Sequence, residues 1–236
     1  MNSLVEYKEK RPLGRSPEPR GGRPSRGKNS FVVQRHDATR LHYDFRLEVD
    51  GVLKSWAVPK GPSLNPAEKR LAIQVEDHPL DYGGFEGTIP EGGHGAGEVM
   101  LWDRGTYEME GELPAAEQLD GGELKFVLHG KKLKGGFVLV RLRRGSARHQ
   151  WLLIKHKDAE ARADWSIEDH ARSVKSGQLP GPPRHPRHQA VVTEKPKTRN
   201  ASREGRARER LARGDEPRAG AKRKWRRAAV SKTRTP

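Results

Sequence analysis

The feature that most constrains this chain is a nine-residue alternation followed by a turn. From Leu41 to Val49, apolar Leu41, Tyr43, Phe45, Leu47 and Val49 alternate without a break with polar His42, Asp44, Arg46 and Glu48. A period of two is the signature of a strand with one face on a core. Asp50-Gly51 follows, then Val52 to Val58. An Asp-Gly pair between two such runs reads as a two-residue hairpin, so the neighbouring strands are antiparallel.

The rest of the middle of the chain follows suit. Strands are expected at Phe31–Arg35, Leu71–Glu76, Glu98–Trp102, Thr106–Met109, Leu124–Leu128, Gly136–Leu142 and Trp151–Lys155. Helical periodicity is scarce, and Ile167 to Val174 is its best instance. Many short strands with glycine-rich turns predict a mainly β fold: a small antiparallel β-barrel with few short helices. Trp56, Trp102 and Trp151 fall in strand patterns and read as packing residues.

Charge divides the chain into three. Residues 1–28 hold eight Lys/Arg against three Asp/Glu, and residues 181–236 hold eighteen against five, whereas the whole chain carries +16. The middle, 29–180, is therefore near neutral, at −2. Residues 11–28 are rich in proline and glycine, and residues 179–236 contain no Ile, Phe or Tyr. Such segments bury too little apolar surface to offset the entropy of ordering them. The expected organisation is a basic irregular arm over 1–28, a barrel domain over 29–180 and a disordered basic tail over 181–236. Basic tails attract polyanions such as nucleic acid.

Several classes are excluded. The absence of cysteine removes disulfides, thiolate nucleophiles and Cys-ligated metal sites. No apolar run approaches the length of a membrane-spanning helix, and the first thirty residues lack a signal-peptide core. A soluble, cytoplasmic and nucleoid-associated protein with no membrane partner is expected.

Three segments carry candidate chemistry. His42, Asp44 and Arg46 share one strand face at a spacing of roughly 6.5–7 Å, with His36 at the end of the preceding strand. Imidazole and carboxylate there can converge on a divalent cation, with the arginine aimed at an anion beside it. Gln74, Glu76 and His78 share a parity opposite Leu71, Ile73 and Val75, and Pro79 leaves His78 at a strand end, a place for acid–base work or phosphate contact. Gly83 to Gly97 holds seven glycines and His94, a loop that lets backbone approach a ligand. It is neither a Walker loop nor a dinucleotide fingerprint.

The segments FVVQRHDATRLHYDFRLEVDGVLKSWAVPKGPS, KRLAIQVEDHPLDYGGFEGTIPEG and GAGEVMLWDRG resemble the 3'-phosphoesterase domain of bacterial DNA ligase D and its stand-alone relatives, over roughly residues 29–160. The resemblance implies a β-barrel with an open face holding the site. It implies a manganese-dependent hydrolase, with cobalt or zinc compatible, that trims DNA or DNA–RNA 3' ends. It removes a 3'-terminal ribonucleoside to leave a 3'-phosphate, then removes that phosphate to leave a 3'-hydroxyl for break repair by non-homologous end joining. The implied metal ligands are His36, His42 and Asp44. Arg46 and Arg70 would hold the scissile phosphate, His78 would be the essential histidine, Tyr82 would hydrogen-bond a phosphate oxygen and Glu76 would orient its neighbours. Separate end-joining ligase, polymerase and end-binding proteins are the implied partners. One departure is His94, where the family often has an aromatic residue.

Three rivals make different demands. An iron oxygenase would use His42-x-Asp44 with His94 or His129 as third ligand. A ligase would need Lys-x-Asp-Gly, and Glu48-Val49-Asp50-Gly51 has no lysine. A non-enzymatic barrel that coats nucleic acid would need no His42, Asp44 or His78.

Overall fold

The computed structural model describes residues 4–11, 16–21, 29–142 and 149–182. By internal contact the chain divides into two units, Met1–Ala190 and Val191–Pro236. The second lies outside the described residues, as do residues 183–190.

Among the described residues nine strands make one antiparallel sheet: β1 Ser30–Asp37, β2 Leu41–Val49, β3 Val52–Val58, β4 Arg70–His78, β5 Gly87–Ile89, β6 Gly97–Met109, β7 Glu123–Gly130, β8 Lys134–Arg141 and β9 Gln150–Lys155. Their order is β1-β2-β3-β4-β9-β8-β7-β6-β5, and β1 also pairs with β6. Eight strands therefore close into a barrel, and β5 adds to the rim of β6. Closure removes the free edges that an open sheet would present.

The hairpin between β2 and β3 forms as its residues demand. Asp50 has φ 51° and Gly51 φ 79°, the left-handed pair of a two-residue turn. The two strand segments expected at Glu98–Trp102 and Thr106–Met109 are one long strand, β6. The register against β1 shifts between Val33 and Gln34, opposite Trp102, so β6 bends rather than breaks. Beyond the bend it stays paired with β1 as far as Thr106 and pairs with β7 from Gly105 onward. A Cβ at Gly105 would lie 2.1 Å from the His129 carbonyl oxygen, so only glycine admits this close crossing.

Trp56, Trp102 and Trp151 are fully buried, with Phe31, Phe45, Phe126 and Phe137 around them. Replacing one of these tryptophans by alanine would cost about 3–5 kcal/mol. A second apolar cluster lies outside the barrel wall, where Tyr7, Tyr82, Phe85 and Ile89 cover Val32, Leu53, Val99 and Leu101.

Two expectations are corrected. The arm is not irregular throughout, because Val5–Lys10 forms helix α1 and Tyr7 is buried. A Glu6–Lys10 pair one turn apart supports it at 2.6 Å. The stretch Ile167–Val174 forms only one 3-10 turn, Glu168–His170. Its carbonyls are taken elsewhere: Lys132 Nζ donates to the oxygens of His170 and Arg172, both at 2.6 Å, and Val174 N–H goes to Leu101. A short helix, α2 Ala115–Gly121, has no counterpart in the sequence reading. Among the described residues no helix is long and apolar enough to cross a membrane.

Candidate functional site

The outer face of β1–β2–β3 gathers the polar residues, as a barrel exterior does, but here they are buried. Asp44, Arg46 and Glu48 on β2 are nearly fully buried, as is Gln34 on β1. They are buried because the second apolar cluster, the arm and the Leu80–Gly84 turn overlie this side.

His36 and His42 are directly paired across β1 and β2, with ring centroids 4.7 Å apart. His36 Nε2 lies 2.8 Å from the Gly95 carbonyl oxygen, and His42 Nδ1 lies 2.8 Å from that of Arg40. A carbonyl only accepts, so each ring donates there and turns its other nitrogen, with a lone pair, inward. Those nitrogens are each 3.6 Å from a different oxygen of Asp44. The three donor atoms lie within 4.8 Å of one another. Burial would push the Asp44 carboxyl up, but the Arg46 guanidinium beside it outweighs burial and holds the group well below the ordinary carboxylate range. Two oriented imidazoles and one carboxylate held ionised suit a divalent cation of the manganese, cobalt or zinc kind. Among the described residues this is the one such cluster. His94 and His129 stand apart from it, near Glu76 and Glu108 respectively, so neither completes the oxygenase triad.

Arg46 ties this cluster to His78. Its Nε donates to Gln34 Oε1 at 2.9 Å, Nη1 to Ser55 Oγ at 2.7 Å and Nη2 to Asp44 at 2.9 Å. Nη1 also lies 2.8 Å from His78 Nδ1. The His78 backbone reaches this face through a bulge. β3 and β4 pair Ser55 with Val75 but Leu53 with His78, one residue out of step. The shared parity expected for Gln74, Glu76 and His78 is therefore broken. Gln74 takes the indole N–H of core Trp151, while His78 lies with Arg46. Burial, Arg46 and Arg11 together push the His78 imidazole well below its usual range, so it is neutral in the absence of an anion.

The other expected residues are placed as follows. Tyr82 is buried with its ring 4.8 Å from that of His78 and under the Arg46 guanidinium. Its hydroxyl donates to Glu18 at 2.9 Å rather than standing open for a phosphate, and burial pushes its ionisation well up, which keeps it a donor. Glu76 accepts from Arg11 at 3.0 Å and Lys10 at 3.2 Å. Arg70 is not brought to this cluster. Its parity is that of core residue Ala72, and it pairs with Glu68 at 2.5 Å in a separate pocket with Lys60 and Lys69.

The sequence reading missed four participants. Gln34 and Ser55 carry a signal, since Gln34 shares the His36 parity on β1 and Ser55 is the cross-strand partner of Arg46. Arg11 and Glu18 carry none locally. Arg11 Nη2 lies 3.3 Å from His78 Nε2 across 67 positions of sequence, and its Nε donates to Glu18 at 2.9 Å.

The fold and the site thus give a closed β-barrel with an N,N,O cluster of metal-ligating type beside a buried Arg–His pair. Comparison with known proteins gives that domain a family. Residues 34–141 match the model described as the DNA ligase D 3'-phosphoesterase domain, and the barrel is a domain of that type. The chain is 55% identical over 163 residues to the multifunctional non-homologous end joining protein LigD of Pseudomonas aeruginosa, covering 68% of this chain and 19% of that protein. It is 43% identical over 164 residues to the LigD of Mycolicibacterium smegmatis, covering 66% and 21%. To the LigD of Mycobacterium tuberculosis it is 47% identical over 140 residues, covering 58% and 18%. The chain thus matches about a fifth of the length of these curated relatives.

Proposed function

We propose that this protein is a manganese-dependent 3'-phosphoesterase that heals DNA 3' ends for non-homologous end joining. It removes a 3'-terminal ribonucleoside, leaving a 3'-phosphate, and then removes the phosphate to leave a 3'-hydroxyl. The observation that carries the reading is the buried Arg46 held between Asp44 and His78.

His36, His42 and Asp44 would hold the metal. When bound, it supplies a Lewis acid that withdraws charge from a phosphate oxygen. Arg46 offers a fixed guanidinium, already desolvated and oriented by Gln34 and Ser55, where charge develops on the phosphoryl oxygens. His78 lies between two guanidiniums, and an anion placed there offsets both, which favours a protonated ring able to give a proton to the leaving oxygen. In the first step water adds to phosphorus and the bond to the 5'-oxygen of the terminal nucleoside breaks. In the second, the bond to the 3'-oxygen breaks and inorganic phosphate leaves. The resulting 3'-hydroxyl is what polymerases and ligases use, so a separate end-joining ligase, polymerase and end-binding protein are the natural partners.

The test is a manganese-titrated incubation with a labelled primer–template ending in one 3' ribonucleotide, with Asp44→Ala alongside. Stepwise conversion to a 3'-phosphate and then a 3'-hydroxyl, lost in the variant, supports the reading. An intact primer across manganese, cobalt and zinc overturns it in favour of a barrel that only binds nucleic acid.

A further inference from the structure

Two clefts flank the metal-type cluster and His78, and their charges differ. One, of about 390 Å³, is lined by Pro59, Lys60, Glu68, Lys69, Arg70 and Leu71. It lies one strand over from His42, since Tyr43 pairs with Val58, and it holds three cations against one carboxylate. The other, of about 230 Å³, lies between the arm and the glycine-rich loop. Its walls include Lys10, Arg11 and Glu18 on the arm side and Glu91 and His94 on the loop side. Here the formal charges balance, and the cations are already spent: Lys10 pairs with Glu6 and Glu76, and Arg11 with Glu18 and Glu76.

A strand ending in a ribonucleoside asks for such a pair. Its body carries a phosphate at every step and belongs in a basic groove. The nucleoside beyond the scissile phosphate carries none. It offers a flat base, which stacks on aromatic rings including imidazole, and sugar hydroxyls, which carboxylates accept. His94 meets the first need, being half exposed at the loop tip and 3.6 Å from Glu76 Oε1. Glu91 meets the second, whereas both oxygens of buried Glu18 already accept, from Arg11, Tyr82 and Ser16. The cleft also opens on the right place, for Arg11 reaches His78 Nε2 at 3.3 Å.

Building on the esterase reading, we propose that the near-neutral cleft is the subsite for the 3'-terminal nucleoside, the leaving group of the diester step, and that His94 recognises it by stacking on the base. His94 then decides which ends are trimmed as diesters and has no part in removing a terminal phosphate, where no nucleoside is present. Gly92, with φ 81°, holds the loop in the left-handed turn that presents the ring.

The experiment compares wild type, His94→Ala, His94→Phe and Glu91→Gln on two primers, one ending in a 3' ribonucleotide and one in a 3'-phosphate. Stacking of one base supports an expected loss of roughly tenfold in kcat/KM for His94→Ala on the first primer relative to its effect on the second. His94→Phe restores the rate, and Glu91→Gln gives a smaller loss with the same selectivity. Equal effects on both primers, or none on either, overturn the subsite. Wild-type inactivity on both primers sinks the esterase reading instead. The subsite is then judged by fluorescence anisotropy in metal-free buffer: His94→Ala must weaken binding of the ribonucleotide-ended primer several-fold and spare the phosphate-ended one. The same affinity change for both primers overturns it.

Discussion

Arg46 lies 2.8 Å from Nδ1 of His78, and a ring between two guanidiniums stays neutral until an anion arrives. Arg46 itself is almost fully buried, and each of its nitrogens has a partner. It is therefore a fixed charge rather than a searching side chain. Fixed charge costs no reorganisation when the phosphoryl oxygens become more negative, which is the condition for strong electrostatic catalysis.

Replacing it should be severe in two ways. Arg46→Ala should lower turnover on a 3'-phosphate primer by about a hundredfold or more. It should also cost about 3 kcal/mol of stability, because Asp44 is left buried without its cation. Steady-state kinetics and a melting curve check both. A rate within threefold of wild type would remove Arg46 from the chemistry.

The neutral state of His78 makes stability depend on pH. Its folded pKa is pushed well below 6.5 by burial, Arg46 and Arg11. Below pH 6.5 the unfolded chain takes up a proton there that the folded protein refuses, so acid favours unfolding. This group should therefore make stability fall as the pH drops through and below 6.5. His78→Gln carries no such proton, and its melting temperature should fall less steeply over that window. Parallel curves for the two proteins would show that His78 titrates normally.

The arm is an organ of the site rather than a tether. Tyr7 is buried, its hydroxyl donates to the Pro19 carbonyl at 2.6 Å, its ring lies 5.1 Å from that of His78, and Arg11 stacks on it. Tyr7→Ala should free residues 4–21 and cut activity roughly tenfold, the scale of a misplaced positioning group. The barrel, with its own tryptophan core, should keep most of its melting temperature. Hydrogen exchange separates the outcomes: faster exchange confined to the arm is expected, and unchanged exchange there would mean that Tyr7 does not hold it.

What could be read in advance followed from local pattern. The alternation of Leu41–Val49 and the Asp50-Gly51 turn define β2, β3 and their pairing, and the row His42, Asp44, Arg46 lies on one face for the same reason. His36 joins them because its strand pairs with β2. The bulge that turns His78 toward Arg46 follows from one extra residue in β4 against β3, and nothing in the local composition marks it. The arm escaped for another reason. Its Pro- and Gly-rich composition is that of an unstructured segment, and the contacts that order it, Arg11 to His78 and Tyr82 to Glu18, span more than sixty residues. The Glu6–Lys10 spacing was the only local hint of α1.

The charge at the far end of the chain calls for a separate test. Residues 181–236 carry eighteen Lys/Arg against five Asp/Glu, whereas the barrel is near neutral. Such a segment raises affinity for any nucleic acid through released counterions and does not choose sequence. Deleting 181–236 should weaken binding to a primer–template and reduce the slope of log affinity against log salt by about two, since each phosphate contact contributes about 0.9. Turnover on saturating substrate should be retained, because the metal-type cluster, Arg46, His78 and the arm all lie before residue 80. Binding titrations at several salt concentrations measure the slope. An unchanged slope would take the tail off the phosphates, and a loss of turnover at saturation would give it a part in the chemistry.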